Sequence, residues 1–308
     1  MIIEKRGRVI RGLGGLFDVR LDSGETVAVR AKGNLRRGED KLYVGDVVRL
    51  TTDDEIPDST VISEVEERRN SLIRPPLSNL DYLFIVFAAK KPTPVIETVD
   101  KLIAISEHNG ITPIAVITKS DLEADVAEEY AEIYRLAGID VFITSSEDGA
   151  GIMPLKDYID GNLKNGKTAA FAGASGVGKS TLMNALFKGL SLATGKISEK
   201  IERGKHTTRH VELFAIEDSA DTGFLADTPG FSLIDFERFD FFGIEDLPST
   251  FREFSRYIGG CRYADCSHVG EGVEECAIAA AAERGEIAKS RLESYRSIYK
   301  VLKGKNVY

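Results

Sequence analysis

Several things are scarce in this chain of 308 residues, and each scarcity narrows its class. No apolar run approaches the roughly 20 residues a helix needs to cross a bilayer, which argues against a helical membrane protein. The first residues, MIIEKRGRVIRG, have no apolar core followed by a small-residue cleavage site. They do not read as a secretory signal, and the cytoplasm is the expected compartment. Cysteine is limited to Cys261, Cys266 and Cys276. An odd number gathered in one short window makes a poor disulfide framework. Internal repeats and low-complexity segments are also missing. The formal net charge of −9 argues against a protein that coats nucleic acid uniformly. What remains, 43% hydrophobic and 29% charged residues, is ordinary globular composition, in a chain long enough for two or three domains.

The charge is unevenly spread. Residues 1–50 carry a net +4 and residues 284–305 a net +5, which leaves −18 for 51–283. Two basic ends around an acidic centre suggest that the ends meet something polyanionic; uneven solvated surface is the plainer alternative. Residues 1–70 alternate short apolar runs with glycine and charged turns, as in GRVIRG, LFDVRL, TVAVRA, VGDVVRL and STVISEV. Period-two patterning at this spacing predicts a small all-β barrel of the OB type, a shape that often binds oligonucleotides. At DYLFIVFAAKK (81–91) the pattern changes to continuous apolar strands alternating with helical segments, which predicts a parallel α/β sheet. From about residue 236 it becomes helical and loop-rich, ending in a helix near 286–303. The expected architecture is an OB-fold barrel (1–70), an α/β P-loop domain (71–235) and a helical zinc-binding domain (236–308).

GASGVGKST (173–181) carries the clearest chemistry. Gly173, Gly176 and Gly178 let the backbone N–H groups of Ala174, Ser175 and Val177 wrap phosphates. Lys179 reaches the β/γ charge, and the Ser180 hydroxyl ligates Mg²⁺ beside Thr181. A strand enters and a helix leaves, so the helix N-terminus also faces the anion. DTPG (227–230) ends a later strand. There Asp227 suits the Mg²⁺ shell, through water, and the Gly230 N–H suits the γ-phosphate.

TKSD (118–121) ends the strand PIAVIT and is similar to a guanine-reading motif. Asp121 can accept from guanine N1–H and the 2-amino group, a donor pair that adenine lacks, and a buried carboxylate facing adenine would be left unpaired. Lys119 would lie along the ring, Ser120 completes the turn, and Thr118 stands where asparagine is commoner. The alternative is a plain helix N-cap at Asp121. SSEDGAG (145–151) favours base reading, with Ser145 and Ser146 supporting the base and the Ser146 N–H offered to O6.

RGKHTTRH (203–210) lies where a switch segment should bring a threonine to Mg²⁺ and the γ-phosphate: Thr208, or alternatively Thr207. Phe231, after DTPG, cannot orient an attacking water. Slow intrinsic hydrolysis is expected, with His206 as the candidate for the missing group and a merely solvated histidine as the alternative. Cys261-x4-Cys266-x-His268-x7-Cys276 supplies four ligands for a closed, structural Zn²⁺ site; buried free thiols are the other reading.

The base-reading motif precedes the phosphate loop, the reverse of the usual order. Nucleotide pockets are built from loops at the carboxyl ends of sheet strands, so a chain cut and rejoined elsewhere keeps its pocket. The sequence therefore looks like a circularly permuted GTPase. Through its barrel, TKSD…GASGVGKS…GKHTTRH…DTPGF and CRYADCSH with the RLESY helix, it resembles the bacterial RsgA (YjeQ) family over essentially its whole length. That resemblance implies a GTPase acting late in small ribosomal subunit assembly. It also implies binding to ribosomal RNA, stimulation by the subunit, and help in releasing another assembly factor. A monomer is expected. The competing readings are an ATP-dependent enzyme on the same loop, and a non-catalytic RNA-binding protein with a vestigial pocket.

Overall fold

Alternation of apolar and charged residues closes the N-terminal strands into a barrel. In the computed structural model, which describes residues 2–33, 41–53, 59–73, 75–187, 211–217, 219–227 and 241–305, five strands build it. They are β1 (Ile2–Leu13), β2 (Leu16–Leu21), β3 (Thr26–Ala31), β4 (Val47–Asp53) and β5 (Val61–Val65). Their order is β1-β2-β3-β5-β4, and β4 pairs back onto β1, so no edge of the barrel is left open. Only the β3–β5 pairing is parallel. Val9, Val19, Val48, Leu50 and Ile62 point inward and are fully buried, while the intervening arginines point outward. Asp46 anchors the base of the barrel, accepting from Arg68 Nε, Ser78 Oγ and the Tyr43 N–H, each at 2.7 Å.

The chain divides into two compact units, and the barrel belongs to the first, Met1–Tyr82, Lys156–Phe171 and Leu186–Phe231. The short strands β6 (Ser71–Leu72) and β7 (Leu77–Ser78) form a small hairpin after the barrel. The second unit is Leu83–Leu155, Ala172–Ala185 and Ser232–Tyr308. Its sheet contains β8 (Tyr82–Ala88), β9 (Thr112–Thr118) and β10 (Asp140–Ile143), in the order β10-β9-β8 with β9 and β10 parallel. All seven residues of β8 are buried, as expected of a strand covered on both faces. Helices α1 (Ile96–His108) and α2 (Ala124–Leu136) alternate with these strands, and α3 (Ile152–Asn162) follows β10. Next along the chain come β11 (Thr168–Ala172) and α4 (Lys179–Phe187). In the first unit, β12 (Glu212–Ala215) pairs antiparallel with β1, and β13 (Phe224–Asp227) runs parallel to β11.

The C-terminal part of the second unit has the 3-10 helices Leu247–Thr250 and Arg252–Arg256, then α5 (Ala277–Glu283) and α6 (Lys289–Lys305). Helix α6 starts a few residues later than the sequence pattern predicts, because Gly285 at φ +75° and the Glu286 N–H, donated to the Ala281 carbonyl at 2.9 Å, close the C-terminus of α5 instead. Phe251, Phe254 and Tyr295 pack ring against ring. Beside them lies a buried ionic triad: Arg291 of α6 donates Nη1 to Asp100 of α1 at 2.6 Å and Nε to Glu253 at 2.7 Å. Asp100 and Arg291 are 0% and 1% exposed. Among the described residues no helix is long and apolar enough to cross a membrane.

Candidate nucleotide pocket and metal cluster

The phosphate loop owes its path to glycine. Gly173 leaves β11 with φ +147°, and a Cβ there would sit 2.0 Å from the Val86 carbonyl oxygen. Gly176 and Gly178 also have positive φ, +80° and +95°, where side-chain-bearing residues are strained. None of the N–H groups of residues 174–178 donates to a backbone carbonyl among the described residues. Ala174, Ser175 and Gly176 are exposed, which leaves this stretch of the loop open to an anion. Lys179 opens α4, and its Nζ folds back onto the Gly173 and Ala174 carbonyls at 2.6 and 2.7 Å. Burial pushes its pKa down. Ser180 and Thr181 follow on the first turn, both exposed.

The structure brings TKSD (118–121) onto this loop, and Thr118 is the tie. Its buried hydroxyl donates to the Val177 carbonyl at 2.5 Å, with the Phe87 carbonyl at 3.3 Å on the other side. Lys119, itself at φ +58°, donates Nζ to the Gly176 carbonyl at 2.8 Å and to that of Lys91. Two residues of TKSD thus hold two successive carbonyls of the phosphate loop. The exposed carboxylate of Asp121 accepts from the Ser145 hydroxyl at 2.7 Å, so the 118–121 and 145–151 loops are joined as well. The Ser120 N–H is held by the Thr144 carbonyl at 3.2 Å. Ser145 is fully buried, whereas Ser146 is exposed, and its N–H meets no backbone carbonyl among the described residues. Gly151 is needed here too: its φ is +69°, and a Cβ would fall 1.9 Å from the Ile143 carbonyl oxygen. The tie from Thr118 and Lys119 to the phosphate loop has no motif of its own, and sequence reasoning missed it.

Asp227 is the last residue of β13. His206, Thr207, Thr208, Gly230 and Phe231 lie outside the described residues.

Cys261, Cys266, His268 and Cys276 converge, with all four ligand atoms within 4.8 Å of one another. The three sulfurs lie 3.6, 3.4 and 3.5 Å from His268 Nδ1. A tetrahedron with metal–sulfur bonds of about 2.3 Å and a metal–nitrogen bond of about 2.0–2.1 Å has ligand–ligand edges of about 3.6 Å. The donor set therefore fits a tetrahedral zinc ion in both chemistry and size. Burial pushes the Cys266 thiol up to about 12 and raises that of Cys276. The cluster is braced from outside. Glu271 accepts from the N–H groups of Ser267, Val269 and Gly270 at 3.2, 3.0 and 3.2 Å, and Tyr295 of α6 donates to the Ser267 carbonyl at 3.1 Å.

Comparison with known proteins agrees with this arrangement. The RsgA GTPase family pattern matches residues 65–237, and the RsgA N-terminal domain pattern matches residues 6–56. The small ribosomal subunit biogenesis GTPase RsgA 2 of Listeria monocytogenes is 39% identical over 303 residues, covering 97% of this chain and 98% of its own. The corresponding GTPase of Geobacillus thermodenitrificans is 38% identical over 301 residues, covering 96% and 97%. Among solved structures, YjeQ from Thermotoga maritima superposes with a TM-score of 0.78 at 34% identity, over 98% of this chain and 99% of that one. YloQ, described as a circularly permuted GTPase, superposes with a TM-score of 0.75 at 31% identity, over 98% and 96%. With barrel, permuted nucleotide pocket and C-terminal region matched in one order along nearly the whole chain, the protein belongs to the RsgA family of GTPases.

Proposed function

We propose that this protein hydrolyses GTP to GDP and phosphate as a conformational switch in late maturation of the small ribosomal subunit, and that the subunit stimulates the reaction. The observation that carries the nucleotide part is the pair of hydrogen bonds from Thr118 and Lys119 to Val177 and Gly176. They hold a base-reading loop and a phosphate loop at one site although the two occur in reversed order along the chain.

On this reading Asp121 pairs with the guanine edge, Lys119 lies along the ring, and Ser145 orients the Asp121 carboxylate while Ser146 offers its N–H to O6. Lys179 exchanges its two loop carbonyls for phosphate oxygens, and the 174–178 N–H groups take the rest. Ser180 and Thr208 would hold Mg²⁺ directly and Asp227 through water; the ion would neutralise charge developing between the β- and γ-phosphates. Gly230 senses the γ-phosphate. His206 orients the water whose oxygen bonds to the γ-phosphorus as the bond to the β-phosphate oxygen breaks. Cys261, Cys266, His268 and Cys276 hold a structural zinc ion. The barrel and the basic α6 contact ribosomal RNA, and the protein acts as a cytoplasmic monomer that helps release another assembly factor. The modules correspond to residues 1–70, 71–235 and 236–308.

The test is GTP turnover by the protein alone, with small subunits and with large subunits, in the wild type and in Asp121→Asn. Strong stimulation by small subunits only is expected, with GTP preference lost in the variant. Equal stimulation by both subunits would refute small-subunit specificity, and equal use of ATP by the wild type would refute base reading.

A further inference from the structure

The outer face of the barrel carries a cationic cavity that the nucleotide site does not use. Arg6 and Arg8 are two residues apart on β1 and share one face. The strand register sets Arg8 directly opposite Arg20 of β2. Together with Asn165, Asp22 and Asp221 they line a cavity of about 390 Å³. Like charges facing each other across a ladder repel, so the partners of each guanidinium matter.

The three arginines are held differently. Arg6 is neutralised: Nε and Nη2 donate to the Glu66 carboxylate at 2.9 and 3.0 Å, and Nη1 to Asp22 at 3.3 Å. Arg20 donates Nη2 to the Ser219 carbonyl at 3.3 Å. Arg8 donates Nη1 to the Thr168 hydroxyl at 2.9 Å, and its guanidinium carbon lies 5.3 Å from the centre of the Phe224 ring. A hydroxyl and an aromatic face orient a guanidinium without neutralising it. Among the described residues no carboxylate lies within ion-pair distance of Arg8. Burial lowers its pKa to about 10, which still leaves it charged at neutral pH. A half-buried guanidinium that feels the Asp81 and Asp22 carboxylates only from beyond ion-pair distance gains from a bound anion, to which its planar fork is matched.

We propose that this cavity is a phosphate-binding site centred on Arg8, with Arg20 and Asn165 beside it, and that none of the phosphate-loop residues takes part. Its volume lies at the small end of the range of about 300–1,000 Å³ for small-molecule sites, room for a phosphate and a sugar-sized group. Two sources present that chemistry: a soluble phosphate monoester, or a phosphodiester of an RNA strand. The proposal does not depend on the ribosomal reading.

The test uses the full chain saturated with Mg²⁺ and GDP, so that the phosphate loop is occupied. Inorganic phosphate, ribose 5-phosphate and a short single-stranded RNA without terminal phosphates are titrated by calorimetry. Binding of at least one probe is expected to weaken tenfold or more in Arg8→Gln and less in Arg8→Lys, with GDP affinity unchanged. Loss of the monoester probes identifies a soluble ligand; loss confined to RNA identifies a phosphodiester. No detectable binding, or a drop below about threefold such as any single surface cation produces, overturns the proposal. A second readout keeps the wild type in play if the glutamine variant fails to fold: modification of Arg8 by phenylglyoxal, followed by peptide mass. It should slow when the binding probe is present, and an unchanged rate also overturns the proposal.

Discussion

Thr118→Val is the most informative single change. Valine has nearly the shape of threonine, so the substitution removes the hydroxyl without opening a cavity. What is lost is the 2.5 Å hydrogen bond to the Val177 carbonyl, in a place where Thr118 is 3% and Val177 2% exposed. An acceptor left unpaired in such a place costs about 1–3 kcal/mol. The Phe87 carbonyl at 3.3 Å was a weaker partner and adds little. On the proposed reading both loops contact one nucleotide, so the lost tie should appear as weaker binding of GDP and GTP by the same factor, about 5- to 150-fold. Equilibrium titration with a fluorescent guanine nucleotide, alongside chemical denaturation, reads both effects. Thr118→Asn, which keeps a donor, should retain affinity within a few-fold. Stability lost in Thr118→Val with nucleotide affinity unchanged would refute the reasoning, because it would make the tie purely structural.

Cys276→Ser should release the metal predicted for the cysteine–histidine cluster. One zinc per chain is expected in the wild type by elemental analysis, with chelation lowering the melting temperature and exposing α6 to hydrogen exchange; a metal-free wild type of unchanged stability would contradict this. Arg291→Met leaves Asp100 and Glu253 buried without their counter-ion, and should destabilise by about 3–5 kcal/mol near neutral pH. Burial already raises the Asp100 pKa above its ordinary 3.8, so the folded state holds its proton more tightly than the unfolded one. Stability from this group is therefore present at low pH and lost as pH rises through the folded pKa. The penalty of Arg291→Met should accordingly grow with pH and shrink towards pH 4, as read by denaturation at several pH values.

How much of this was legible beforehand depended on locality. GASGVGKS could be recognised because the glycines at 173, 176 and 178 answer a local backbone demand, a run of positive φ around an anion. The period-two runs of 1–70 and the fully apolar β8 betrayed a barrel and a two-sided sheet, because burial imposes its period on the chain one residue at a time. The cysteines and His268 stood out because few side chains bind metal and all three cysteines of the chain fall in one window with a histidine. Even the permutation was visible, as an order of motifs.

Other features depended on residues far apart in the chain, which no period or motif relates. Thr118 and Val177 are 59 positions apart, and Arg291 and Asp100 are 191 apart. Arg8 is one of many outward-facing arginines in the sequence; only the approach of Thr168 and Phe224 makes it a half-buried cation, with no carboxylate within ion-pair distance among the described residues. Composition and spacing thus determined the elements, the phosphate loop and the ligand set, because each is written in neighbouring residues. The tertiary structure decided which loops are tied to one another and which charged side chains meet. Hydrogen bonding and desolvation act on whatever the chain topology brings within a few ångströms, whatever the separation along the sequence.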